Sequence, residues 1–158
     1  MIVRALEKKD IESIEKIFDL YWDDEFRKKL SKKLVDYINN SLKISEQDFK
    51  FFVAEEKEEI VGVSAIRKLP EHMKEYAQTE RPAELYVIAV KYKNRGIGKL
   101  LRDVRIEEAK KSGYTELLFF SGEKHKDSWS FHDSNGFKRV APSVAPDGEP
   151  GFIWRLKL

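Results

Sequence analysis

The stretch Val90-Lys91-Tyr92-Lys93-Asn94-Arg95-Gly96-Ile97-Gly98-Lys99-Leu100-Leu101 has the residue types and spacing of an anion cradle. An apolar run ends, a basic turn follows, two glycines stand one residue apart, and a helical apolar pattern begins at once. Main-chain N–H groups at a helix start have no intrahelical acceptor, and the helix dipole favours negative charge there. Glycine lets a phosphate approach the backbone, and Lys93, Arg95 and Lys99 add positive charge, with Arg102 one turn further. The same residues also read as a plain helix start carrying solvated basic side chains, and both readings stand on the sequence. Two other phosphate patterns fail: a P-loop needs four residues between its glycines, and the dinucleotide fingerprint needs a third glycine where Leu101 stands.

Other residues have chemical potential. His125 and His132 are seven apart, which on one helix would put both on a single face; a metal pair is conceivable there, but no third ligand is evident. Tyr21-Trp22-Asp23-Asp24-Glu25 joins aromatic and acidic groups that can hold a cationic amine by charge and cation–π contact. It reads also as a core aromatic pair beside an acidic helix start. Glu71, His72, Tyr76 and Glu80 form a similar set within a long polar stretch.

The elements that must carry these groups follow from apolar periodicity. Ile2 to Leu6 reads as a strand. Ile11, Ile14, Ile17/Phe18 and Tyr21 recur at helical spacing behind Asp10, and Phe26, Leu30, Leu34 and Ile38 make a second helix that stops at Asn39-Asn40-Ser41. Residues 51–54 and 60–66 read as a hairpin. Residues 69–82 read as a loop with room for one helical turn. Glu84 to Val90 is the strongest strand signal, and a helix from Gly96 to about Ser112 follows, with Ile97, Leu100/Leu101, Val104 and Ala109 inward and Gly113 past its end. Thr115 to Phe120 is a strand, Asp127 to Asn135 a short helix, and 137–140 and 151–158 are strands around a turn-rich Ala141 to Pro150. The order β-α-α-β-β-β-α-β-α-β-β predicts one α/β (α+β) domain over residues 1–158.

Composition narrows the chemistry. The chain has no cysteine, which excludes disulfides, zinc–thiolate and iron–sulfur ligation and a cysteine nucleophile. Its 30 basic and 28 acidic side chains leave +2, so nucleic acid is not the expected partner. No apolar run reaches membrane-spanning length, and Met1-Ile2-Val3-Arg4 does not open a secretory signal; no membrane association and a cytoplasmic location are expected.

Lys93-Asn94-Arg95-Gly96-Ile97-Gly98 resembles the Gln/Arg-x-x-Gly-x-Gly/Ala motif of the GNAT superfamily of N-acetyltransferases, with Lys93 at the first position. Phe131-His132-Asp133-Ser134-Asn135-Gly136-Phe137 looks like the family's Phe-Tyr-x-x-x-Gly-Phe segment, and Gly151 to Leu158 suits its closing strand. The resemblance covers nearly the whole chain. It implies a mixed, mostly antiparallel central sheet flanked by helices on both faces. It also implies acetyl-CoA as co-substrate, with the pyrophosphate on the amides of Lys93, Asn94, Arg95, Gly96, Ile97, Gly98 and Lys99, and pantetheine and thioester along Ile88, Ala89 and Val90. The Val90 amide takes an oxyanion-hole role in that picture. An amine attacks the thioester directly, without a metal. His132 stands where the family usually places a Tyr that protonates the leaving thiolate, and packing on its small helix is the other reading of that imidazole. Glu84, at the start of the central strand, is the candidate base. Tyr21 and Trp22 are the candidate acceptor contacts. The acceptor is a small-molecule amine or a peptide or protein amine, and a homodimer is common among such enzymes. A domain that binds acetyl-CoA as a sensor without transferring the acetyl group is the alternative.

Overall fold

The computed structural model describes residues 1–46 and 48–158. The strands are β1 (Ile2–Ala5), β2 (Lys50–Glu56), β3 (Glu59–Lys68), β4 (Pro82–Val90), β5 (Glu116–Gly122), β6 (Lys138–Val144) and β7 (Pro150–Lys157). The helices are α1 (Ile11–Phe18), α2 (Asp24–Ile38), α3 (Ile97–Lys111) and α4 (Trp129–Ser134). The seven strands follow the order β1-β2-β3-β4-β5-β7-β6, and β4 and β5 pair in parallel in an otherwise mostly antiparallel sheet. Element order and α+β class agree with the sequence reading. The expected turn in 69–82 is a 3-10 segment, Glu71–Tyr76.

Two compact units divide the chain: Met1–Arg67 with Tyr86–Glu107, and Lys68–Leu85 with Glu108–Leu158. In the first, strand alternation sends side chains to opposite faces. Phe51, Val53, Val63, Ala65, Val87 and Ala89 pack with Ile14, Phe18, Leu30 and Leu34 of α1 and α2. Phe52, Ala54, Ile88 and Val90 pack with Ile97 and Leu101 of α3 on the other face. Asp23 caps α2 by accepting from the Phe26 N–H at 3.0 Å, and the acidic Asp24 and Glu25 complete its first turn.

The N-terminal strand is tied down by Asp10, 2% exposed. Its carboxylate accepts a two-pronged bond from Arg4 (2.8 and 2.9 Å) and one from the Glu7 N–H (2.8 Å), while Arg4 Nε donates to Glu55 at 2.8 Å. Burial alone would raise this carboxyl. The hydrogen bonds from Arg4 and Glu7 outweigh it and hold Asp10 below its usual range. A depressed folded-state value means the stabilisation is full above the unfolded carboxyl's value of about 3.9 and is lost as pH falls through the lower folded value. Asp10→Asn should therefore lower the urea midpoint at pH 7 and converge with the parent protein in strong acid. A constant difference across that range would remove ionisation from the explanation.

In the second unit β5 pairs with β7 along its length, and with β4 at Pro82–Glu84. Trp154 is fully buried and stacks on Phe119 at 5.5 Å. Glycine is required at 151, where a Cβ would lie 2.3 Å from the Ser121 carbonyl oxygen of the neighbouring strand. Two expectations are corrected here. The stretch read as turn-rich from Ala141 is strand as far as Val144, pairing with Pro150–Ile153, and the turn is confined to 145–149. Pro142 fits because β6 is an edge strand, where a missing N–H costs no ladder bond. His125 also does not share a helix face with His132. It has non-helical φ/ψ (−117°, 26°) in the kinked segment Glu123–Ser128, before α4 starts.

Candidate functional site

Between β4 and α3 the chain turns through two left-handed residues, Asn94 (φ 61°) and Gly96 (φ 77°). Asparagine tolerates that region and glycine adopts it freely, so the sequence order follows from backbone geometry. A Cβ on Gly96 would have no heavy atom within 4 Å, which leaves the loop surface open above it. The first α3 bond runs from the Leu100 N–H to the Gly96 carbonyl (3.1 Å), so the amides of Ile97, Gly98 and Lys99 precede any intrahelical acceptor. The loop therefore has the donors and the room that a pyrophosphate needs.

Its basic side chains are already oriented by acids of the β2–β3 hairpin. Arg95 donates to Glu56 at 2.8 Å and lies 4.9 Å from the Tyr92 ring centre. Lys91 pairs with Glu59, which also accepts from the Tyr92 hydroxyl at 2.9 Å, and these two bonds hold the Glu59 carboxyl below its usual range. Lys93 Nζ stands 5.8 Å from the centre of the Tyr21 ring. Arg102, counted with the loop's charge from the sequence, is mostly buried and bonds to Asp103.

Tyr21 joins this group through its hydroxyl, which donates to the Val90 carbonyl at 2.8 Å. Trp22 is packed edge-on against Phe18 (5.6 Å) and Phe26 (5.4 Å) and lies 5.6 Å from Tyr21. The structure thus brings Tyr21, Lys93 and the end of Ile88–Val90 together.

Glu84 and His132 belong to the second unit. Glu84 is buried at 7% exposure, opposite Leu118 of β5. His132 is half-buried, 4.6 Å from the Phe119 ring and 5.2 Å from Trp154. Its Nε2 is 3.3 Å from Ser128 Oγ, whose single proton goes to the His125 carbonyl at 2.8 Å. Next to His132, Asp133 accepts from Trp154 Nε1 (2.8 Å) and Arg139 (2.9 Å), and these bonds, Trp154's foremost, hold its carboxyl below the usual range. Among the described residues no group of three or more His, Asp or Glu could hold a metal ion, and no helix is long and apolar enough to cross a membrane.

The model of the acetyltransferase (GNAT) family matches residues 14–137, which takes in the left-handed loop, Glu84 and His132. The chain belongs to the GNAT acetyltransferase family. Solved structures share the whole fold. A protein assigned to the GNAT acetyltransferases from Desulfovibrio desulfuricans superposes with a TM-score of 0.81 at 18% identity, over 99% of this chain and 98% of that one. The PaiA N-acetyltransferase of Thermoplasma acidophilum, solved with coenzyme A, gives 0.69 at 20% identity over 99% and 98%. The ribosomal-protein-alanine N-acetyltransferase of Brucella melitensis gives 0.71 at 18% identity over the full length of both. No curated protein sequence matches this GNAT chain.

Sequence reasoning passed over one residue of this GNAT core. Arg105 is 3% exposed, while Val104, expected inward, is only half-buried. The row Ile97, Leu101, Arg105, Ala109 at four-residue spacing is the buried one, and that spacing was the available signal; the charge at 105 concealed it. Burial, with a smaller contribution from the like charge of Arg102, pushes the Arg105 guanidinium down to about 9, so it stays charged at neutral pH.

Proposed function

We propose that this GNAT enzyme transfers the acetyl group of acetyl-CoA to a primary amine, of a small molecule or of a peptide or protein, by direct attack of the amine, and that residues 1–158 act as one catalytic domain. The observation that carries the reading is the left-handed loop at Asn94 and Gly96, followed by the amides of Ile97, Gly98 and Lys99 ahead of the Leu100–Gly96 bond of α3. Acetyl-CoA supplies an activated acyl group on a thiol leaving group. Lys93, Asn94, Arg95 and Gly96 with the α3 amides hold its phosphates by charge and main-chain donation. Main-chain groups of Ile88, Ala89 and Val90 align the pantetheine, and the Val90 N–H polarises the acetyl oxygen.

Two proton movements complete the reaction. Glu84 takes a proton from the ammonium form of the acceptor, directly or through water. The His132 imidazole, neutral or protonated, gives one to the departing sulfur. Tyr21 and Trp22 contact the acceptor; the Tyr21–Val90 bond supports this by setting them beside the strand end assigned to the thioester.

The deciding experiment is a calorimetric titration with acetyl-CoA against 3′-dephospho-CoA, followed by an amine panel read with a thiol reagent. The absence of cysteine removes protein background from that assay. Saturable one-to-one binding and amine-dependent thiol release are expected. No binding at millimolar acetyl-CoA would sink the reading. His132→Phe keeps the ring packing on Phe119 and Trp154 and should lower kcat by about 10²-fold or more at unchanged acetyl-CoA affinity. Equal turnover would assign His132 to packing alone.

A further inference from the structure

Arg105 occupies a place in α3 where an aliphatic side chain would pack. Its Nη1 donates to two main-chain carbonyls, Ala65 of β3 and Val87 of β4, both at 3.2 Å, and among the described residues its buried Nε has no acceptor. The Lys91 N–H donates to the Val61 carbonyl at 2.8 Å. β3 and β4 are neighbours in the sheet, so one guanidinium nitrogen bridges carbonyls of two adjacent strands. A buried cation without a carboxylate is expensive, and an apolar residue would fill the same space at lower cost. What the guanidinium provides instead is a fixed orientation for the Val87 peptide. Three residues on, the Val90 carbonyl is held by the Tyr21 hydroxyl. Tyr21 packs with the α1–α2 cluster, and Arg105 belongs to α3 on the other face.

We propose that Arg105 and Tyr21 are positioning residues that clamp β4 at both ends of Ile88–Val90, fixing the main-chain groups that align the thioester. The identity of the ligand rests on the function proposed above; the clamping of the strand does not.

The test uses Arg105→Met, Arg105→Lys and Tyr21→Phe in the full chain. Tyr21→Phe removes one oxygen and keeps the ring, so it reports even if the Arg105 variants fold poorly. Amide hydrogen exchange of the free protein at Ile88, Ala89 and Val90 should quicken by about 10-fold or more in Arg105→Met and Tyr21→Phe, with Val53 and Val63 unchanged. Arg105→Lys, which keeps a donor, should recover part of the protection. kcat should fall about 10-fold or more in the two disruptive variants, with acetyl-CoA affinity within about 3-fold, because misalignment costs rate while the phosphates still bind. The melting temperature of Arg105→Met should hold or rise, since an unpaired buried charge is removed. Unchanged exchange at 88–90, or a uniform increase over all amides with a lower melting temperature, would overturn the clamp. Local exchange that responds in a protein that takes no acetyl-CoA would overturn the thioester alignment and leave the clamp standing.

Discussion

Gly96→Glu is expected to abolish acetyl-CoA binding and leave a folded protein. The two effects separate because Gly96 has two independent constraints. Its backbone is left-handed at φ 77°, which costs an L-residue roughly 1–2 kcal/mol, or a few degrees in melting temperature for a chain of this size. No heavy atom lies within 4 Å of a Cβ there, so the added Cβ meets no steric resistance from the fold. A glutamate at the start of α3 is also favoured by the helix dipole, so the helix survives. The loss falls on the ligand: a carboxylate would stand where phosphates are to sit, turning an electropositive loop into a repulsive one. Calorimetry should show a drop in affinity of more than about 100-fold, the scale of a few kcal/mol of charge-assisted bonding. Gly96→Asn is the matched control. It tolerates the same backbone and adds no charge, and it should lose far less. Unchanged acetyl-CoA affinity in Gly96→Glu would remove the cradle from the proposed function.

The second large effect concerns the fold. Glu116, at the start of β5, is fully buried, and its carboxylate gathers four donors. Oε1 accepts from the Gln78 N–H (2.6 Å), the Thr79 N–H (2.7 Å) and the Thr79 hydroxyl (3.0 Å), and Oε2 accepts from Arg155 Nε (3.0 Å). Arg155 also reaches the Tyr76 carbonyl, so one buried ion pair ties the segment after Glu71–Tyr76 to β5 and β7. Glu116→Ala should cost about 3–5 kcal/mol, because it strands a largely buried guanidinium and two main-chain donors. The melting temperature should fall by roughly 10 °C or more. A double change, Glu116→Leu with Arg155→Leu, is not expected to rescue the protein, since the Gln78 and Thr79 amides still lack an acceptor. Recovery in the double variant would show that only the charge pair mattered.

Much of the site was legible because its signals are local. Two glycines after an apolar run and before a helical period mark a strand–loop–helix by short-range geometry alone, and the structure puts left-handed residues at Asn94 and Gly96. The short helix expected over 127–135 was legible in the same way, and α4 covers Trp129–Ser134. Ala141–Val144 was not, because Pro142 reads as a turn until an edge strand is available to accept it. The His125–His132 spacing misled because a seven-residue interval says nothing without a continuous helix, and the backbone kinks at His125.

By itself, then, the sequence determined the order of elements, the faces of α1 and α2, and the basic glycine loop, since each depends on residues two to four apart. The tertiary structure decided which charges are buried and what they hold. Arg105 reaches carbonyls 18 and 40 residues away, Tyr21 one 69 away, and Glu116 an amide 38 away. A charged side chain reads as solvent-facing until distant strands enclose it, and only the assembled sheet supplies the acceptors and donors that make its burial tolerable.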